Sequence, residues 1–168
     1  KVEKMIQVVR VKNKQSLPSK DGKTKDLVGE GILHDIHHSL GNKKITKVES
    51  AKIYRLEGVS EKEAKVLAET VFCESIYQIY TLNSPIIKGA KEVLVIAYKG
   101  GVMNPEVASI LKVAGDLGIK LKACDTTYEY KFFGKLTNEE TAKIIDKLKL
   151  YNPLTEHIVY KEPKTLLI

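Results

Sequence analysis

The chain has 168 residues, 43% of them hydrophobic and 29% charged, with a formal net charge of +7. That length suits one domain or two small ones, and the composition is that of an ordinary globular protein, which excludes a wholly disordered chain. No apolar run approaches the ~20 residues of a membrane-spanning helix. Lys1 to Arg10 lacks the apolar stretch and small-residue cleavage site of a secretory signal.

The two cysteines, Cys73 and Cys124, cannot build a disulfide framework, and their scarcity leads us to expect a reducing, cytoplasmic setting. Among the 28 basic residues only Arg10 and Arg55 are arginines. Nucleic-acid readers use arginine for bidentate contacts. A lysine surface gives general attraction to anions without a reading device, so we expect no nucleic-acid role.

In chain order, Met5 to Lys12 is apolar and β-branched and predicts a strand. Asn13 to Thr24, with Pro18 and Gly22, reads as a loop. Asp26 to Leu40 predicts a helix whose stripe is Ile32, Leu33, Ile36 and Leu40, stopped by Gly41. Ile45 to Leu56 is a long strand, and Gly58 a turn. Ser60 and Glu63 form a capping box that opens a helix buried through Ala64, Leu67, Ala68 and Val71. Ser75 to Leu82 alternates as a third strand.

The pattern then restarts. Glu92 to Tyr98 is a strand. Asn104 is an N-cap with Pro105 at the first helical position, where its missing N–H costs nothing. Val107, Ile110, Leu111, Ala114 and Leu117 form the helix stripe, and Gly118 ends it. Leu121 to Phe133 is a long strand, and Thr137 with Glu140 a second capping box. Thr141, Ile144, Ile145 and Leu148 face inward, Asn152 and Pro153 stop that helix, and Glu156 to Tyr160 is the last strand.

Landmarks recur at a near-constant interval. Leu40-Gly41 and Leu117-Gly118 are 77 residues apart, as are Ser60/Glu63 and Thr137/Glu140, while Gly58/Gly134 and Tyr54/Tyr130 are separated by 76. We therefore expect an α+β protein made by tandem duplication of a βαβαβ unit, with repeats at 1–84 and 85–168. A unit of that size buries a thin core and leaves sheet edges open, so two copies are expected to pair their sheets into a covalent version of a homodimer.

Residues that could carry chemistry have plainer readings beside them. His34 and His38 have the i, i+4 spacing of a helical metal pair but no acidic residue between them completes a zinc-enzyme motif. His157 lies in a strand. Neither cysteine sits at a helix N-terminus, where a thiol is activated. Asp21 to Thr24 echoes the end of a phosphate loop without its glycine spacing. Tyr128, Tyr130 and Phe132 share one strand face, a place for base stacking or, more simply, for packing. The acidic residues read as scattered over helix surfaces, without an acid–base pair.

The second half carries a recognisable string. Strand EVLVIAY leads to Gly101-Val102-Met103-Asn104-Pro105, then a helix ending Asp116-Leu117-Gly118-Ile119, and later Leu150-Tyr151-Asn152-Pro153-Leu154-Thr155-Glu156. This resembles PurS, the small subunit of phosphoribosylformylglycinamidine synthase, with its G-V-x-D-P turn, L-G helix end and N-P-x-x-E segment. Tyr54 to Ser60 is similar to part of the N-terminal domain of the single-chain enzyme, which is built like a PurS dimer. In the first half a lysine-rich loop, Asn13 to Thr24, takes the place of the G-V-x-D-P turn.

The resemblance implies a two-layer sandwich like an intramolecular PurS dimer. It also implies a non-catalytic role in purine biosynthesis, joining a glutaminase to an ATP-dependent synthetase and helping ammonia pass between them. ATP and magnesium would belong to the synthetase, with no cofactor on this chain. The glutaminase and synthetase subunits are the expected partners, with self-association as a further option. The candidate docking residues are Gly101, Val102, Asn104 and Pro105 in the first turn and Asn152, Pro153 and Glu156 in the second. Turn and cap chemistry alone also accounts for Gly101, Asn104 and Pro105. The rival expectation is a ferredoxin-like, amino-acid-sensing regulatory domain, which shares the alternation of strands and helices.

Overall fold

The computed structural model describes residues 6–14, 26–89, 92–99, 101–135 and 137–158. Six strands, β1 (Ile6–Asn13), β2 (Ile45–Glu57), β3 (Gln78–Leu82), β4 (Glu92–Tyr98), β5 (Ala123–Gly134) and β6 (Glu156–Ile158), form one sheet of order β3-β1-β2-β5-β4-β6. Every pairing is antiparallel. Helices α1 (Leu27–Ser39), α2 (Glu61–Leu67), α3 (Pro105–Asp116) and α4 (Asn138–Leu148) complete an α+β fold.

Alternation along the strands assigns the two faces. Val48, Tyr54 and Leu56 of β2 point with Cys124 and Phe132 of β5 toward the helices, whose apolar stripes they cover. One core unites α2 and α3 over Val9, Val11, Tyr54 and Leu56. The other unites α1 and α4 over Val48, Ile96 and Phe132. Each core thus takes one helix from residues 1–84 and one from residues 85–168. Each core is thus shared between the two stretches of chain.

The opposite face is crossed by residues 83–89, which follow β3. Ile86 and Ile87 are buried there against Ala51, with Phe133 beside them. The Lys131 ammonium donates to Ile87 O at 2.9 Å, and Arg10 donates to Ser84 O at 3.3 Å. Asn83, at φ 56°, starts this strap by pairing its backbone and side chain with Val8 and Gln7.

Both predicted capping boxes form. The Ser60 hydroxyl accepts from Glu63 N–H while Glu63 accepts from Ser60 N–H, and Thr137 and Glu140 do the same. Helix α2 runs on into a π-helical turn, Ala68–Phe72, closed by Cys73 N–H donating to Ala68 O. That wider turn lays Phe72 flat on Tyr54, ring centroids 4.0 Å apart.

Some expectations are corrected. Ser75 to Tyr77 is a turn, not strand, because the N–H groups of Tyr77 and Gln78 both go to Glu74 O and leave the ladder. Leu117 stands at the helix C-cap, where the backbone swings toward Gly118 (φ 74°), and is exposed instead of facing inward. Tyr128 is likewise exposed, whereas Tyr130 and Phe132 pack against α1 and α4. Acidic residues are not confined to helix surfaces: Glu49, Glu57 and Glu129 are buried in strands. Residues 15–25, Gly100, Val159, Tyr160 and the tail from Lys161 lie outside the described residues, and with them the phosphate-loop echo and the end of the predicted last strand.

Candidate functional site

The two predicted docking segments come together at one corner of the sheet. Strand β4 runs out at Tyr98, which pairs with Glu156, the first residue of β6. The next residue, Lys99, fastens the two turns: its N–H donates to Thr155 O at 2.8 Å and its ammonium donates to Pro153 O. The turn itself is closed by Glu156 N–H donating to Asn152 O (2.7 Å) and by Asn152 N–H donating to the Glu156 carboxylate (2.9 Å). Asn152 and Glu156 therefore hold each other, Pro153 is held by Lys99, and Leu154 projects from the turn 84% exposed.

On the other side of Lys99, Gly101 takes φ 80°. The chain there turns into α3. Asn104 accepts from Glu106 N–H and donates its amide to Thr126 of β5 at 2.8 Å, with Pro105 following at the first helical position. A cleft of about 460 Å³ lies between Tyr98, Val102, Asn104 and the Cys124–Thr126 stretch of β5. A wider groove of about 910 Å³ separates α4 from Tyr151, Pro153 and Leu154.

Four of these bonds recur at a second corner, after β1. Lys14, just past β1, donates its N–H to Tyr77 O at 2.8 Å and its ammonium to Ser75 O at 2.6 Å. Gln78 N–H donates to Glu74 O (2.8 Å), and Glu74 N–H donates to the Gln78 side chain (3.0 Å). Ile76 projects, 69% exposed, from the place that Leu154 takes in the second turn. No signal in the sequence reading marked Lys14, Glu74 or Ile76, although Lys14 and Lys99 each directly follow a strand.

The two corners lie at opposite edges and opposite ends of the sheet, with the β2–β5 ladder between them. Lys52 pairs with Tyr128 at its middle, and two steps away on either side Ser50 faces Tyr130 and Tyr54 faces Thr126. The Lys52 ammonium lies 5.2 Å from the Tyr54 ring centre and 5.6 Å from that of Tyr128, and it bonds Glu106. Burial, the largest single influence, would depress the Lys52 pKa, but the bond to Glu106, the two tyrosines and the Glu106 charge together outweigh it, and the net shift is upward. A smaller cleft, about 350 Å³, opens beside this pair between Asp26, Ser50, Gln78 and Tyr128.

Other candidates disperse. His34 and His38 stack on the exposed side of α1 with centroids 4.2 Å apart, His37 contacts Ile45 O at 2.7 Å, and His157 is exposed on β6. Among the described residues no three His, Cys, Asp or Glu side chains gather as a metal site. Burial pushes the Cys124 thiol up to about 12, with Asp125 adding to the effect, and burial also raises Cys73. Neither thiol is poised as a nucleophile at neutral pH.

The largest feature absent from the sequence reading is a charged cluster on the strap side of the sheet. Arg55 is 1% exposed and donates to Thr127 at 3.1 Å, with Asp125 at 3.8 Å. Nearby Lys131 meets Glu129 at 3.0 Å, and Arg10 approaches the other oxygen of Glu129 at 3.5 Å. Alternating charges in a strand suggest a solvated face, and only the strap and sheet pairing reveal their burial.

Among the described residues no helix is long and apolar enough to cross a membrane. No protein-family model matches the chain, and no curated protein matches it.

Proposed function

We propose that this chain is a tandem-duplicated bridging module of the PurS type, with repeats at 1–84 and 85–168. On this reading it has no catalysis of its own and joins the glutaminase and the ATP-dependent synthetase of phosphoribosylformylglycinamidine synthase, helping ammonia pass from one to the other. The observation that carries the reading is the strand order. From the central ladder outward, β2-β1-β3 on one side answers β5-β4-β6 on the other, each with two helices inserted at the same points. The repeated corner bonds of Lys14 and Lys99 support the same duplication. Such an arrangement is what an intramolecular dimer requires, since an isologous pair presents each contact twice. The string from Gly101 to Pro105 and that from Asn152 to Glu156 then serve as the docking corner.

The test is reconstitution. Glutamine-dependent amidine formation is measured with the glutaminase and synthetase from the same source, ATP and magnesium, with and without this chain. The expected result is that glutamine supports the reaction only when the chain is present, while free ammonia supports it either way. A folded chain that leaves the glutamine-dependent rate unchanged overturns the reading.

The rival reading, a small-molecule sensor, draws on the cleft beside Lys52 and Tyr128. Calorimetry with amino acids and nucleotides separates the two: micromolar binding to the isolated chain favours the sensor.

A further inference from the structure

The three histidines of α1 divide into two kinds. His37 is half-buried, and its Nε2 lies 2.7 Å from Ile45 O. His34 and His38 are exposed, and the core uses neither: α1 buries Gly29 and Ile36, with Ile32, Leu33 and Leu40 beside them. His34 and His38 stand at i and i+4, so one helical turn sets them side by side. Their rings have closed on each other, with centroids 4.2 Å apart and an interplanar angle of 32°. Two imidazoles thus meet in water, each with ring nitrogens that lone pairs make into metal ligands.

We propose that His34 and His38 form a two-imidazole chelate for a borderline divalent cation, copper(II), nickel(II) or zinc(II), with water in its remaining positions. Two nitrogens on one ion, each at about 2.0–2.1 Å, lie no more than about 4.2 Å apart. The rings already stand at that separation, so small side-chain rotations bring one nitrogen of each to a common ion. Asp35 supplies the orientation. Its carboxylate lies 3.6 Å from His34 Nδ1, which favours the proton on Nδ1 and leaves the Nε2 lone pair for the metal. Among the described residues no group of three His, Cys, Asp or Glu side chains completes a closed site, so the ion keeps its waters and exchanges with solution. Imidazole suits copper, nickel and zinc, whereas magnesium and calcium require oxygen ligands. A bond from i to i+4 also selects the helical form of α1, which couples metal binding to the stability of the fold. The site stands apart from the bridging role, and neither depends on the other.

The full chain, free of any affinity tag, is titrated with nickel(II) by calorimetry, and its thermal unfolding is followed with and without the metal. A Cys73→Ser background keeps the partly exposed thiol from competing. The expected result is one ion per chain and a Tm that rises with nickel(II), with tighter binding of copper(II) and no response to magnesium. His34→Ala and His38→Ala are each expected to lose about hundredfold or more in affinity, and the rise in Tm with it, because the second bond no longer forms at high effective concentration. Asp35→Asn is expected to lose about tenfold. His157→Ala, an exposed histidine on β6, is the control and is expected to bind as wild type does. Electron paramagnetic resonance of the copper(II) form is expected to show two coupled ring nitrogens, and one in each single variant. A wild-type Tm indifferent to nickel(II), affinity that survives loss of either histidine, binding lost in His157→Ala, or an ion that joins two chains each overturns the chelate. Wild-type affinity in Asp35→Asn overturns the part given to the carboxylate.

Discussion

Asp26 and Asn104 hold the same station in opposite halves of the sheet. Asp26 caps α1 by accepting from Gly29 N–H at 2.9 Å, and its carboxylate also takes both the N–H and the hydroxyl of Ser50 on β2. Asn104 caps α3 by accepting from Glu106 N–H and ties to Thr126 on β5, the strand position that answers Ser50 across the central ladder. One polar side chain thus both starts a helix and fixes the helix to the sheet. The anionic version makes three such bonds and the neutral one makes two.

The difference predicts unequal costs. Removing an N-cap typically costs about 1 kcal/mol, and leaving a half-buried partner unsatisfied adds about 1–3 kcal/mol. Asp26→Ala is expected to lower stability by about 3 kcal/mol and Asn104→Ala by about 1.5 kcal/mol, since Asp26 strands the Ser50 groups as well. Urea unfolding of the two variants measures this. Equal losses would show that the extra bonds of Asp26 contribute nothing.

Gly58 and Gly134 end β2 and β5 at φ 87° and φ 132°, where an L side chain is strained. Space is closed as well: a Cβ on Gly58 would come within 2.7 Å of the Lys122 Cβ, and one on Gly134 would strike Lys44 O. A backbone carbonyl yields less than the root of a surface lysine. Gly134→Ala is therefore expected to destabilise by about 3 kcal/mol or more and Gly58→Ala by about 1–2 kcal/mol. Thermal unfolding decides it, and a variant at either position as stable as wild type would contradict the packing described.

Cys124 gives a pH signature. Its ordinary value is 9.0, and burial followed by the Asp125 charge raises it to about 12 in the fold. The folded state keeps a proton that the unfolded chain releases, so this stability is complete below pH 9 and falls as pH rises toward 12. The slope is about 1.4 kcal/mol per pH unit in that window. Val48 occupies the answering place on β2, so Cys124→Val keeps an apolar group of the right kind. Between pH 8.5 and 10.5 the wild-type chain is expected to lose more stability than Cys124→Val. Burial also raises Tyr54 and Tyr130, but they titrate in both proteins and cancel in the comparison. Parallel pH curves for the two proteins would contradict a buried thiol.

Much of the fold was legible because caps and stops are local. Ser60 with Glu63, Thr137 with Glu140, and Asn104 with Pro105 announce helices through the few residues that make the cap, and all three form. The strand centres were legible through β-branched alternation. Correspondence between Lys14 and Lys99, or between Ile76 and Leu154, was not. The loops that follow β1 and β4 differ in length, which sets Lys14 and Lys99 off the common interval, and a lysine or an isoleucine at a turn carries no signal of its own. The Asp26 cap was hidden for a related reason, since its partner Ser50 lies on the next strand. The π-helical turn at Ala68–Phe72 brings Phe72 onto Tyr54, a tertiary contact with no local mark.

The strap-side charges were the least legible, and they supply the last prediction. Arg55 is enclosed by the sheet, holding Thr127 at 3.1 Å with Asp125 at 3.8 Å. Breaking a buried pair by deleting one member costs about 3–5 kcal/mol, because the remaining groups lose their partner without regaining water. Asp125 keeps partial access to solvent, which softens the penalty, so Arg55→Met is expected to lower stability by about 3 kcal/mol. Lys112 and Asp116 form an i, i+4 pair on α3 at 3.3 Å with both side chains well exposed. Lys112→Met should change stability by no more than about 0.5 kcal/mol. Denaturant unfolding of the two variants, with a Thr127→Val background to complete the cycle for Arg55, separates burial from pairing. If Arg55→Met and Lys112→Met cost the same, the strap side of the sheet is wet, and its charges are surface charges after all.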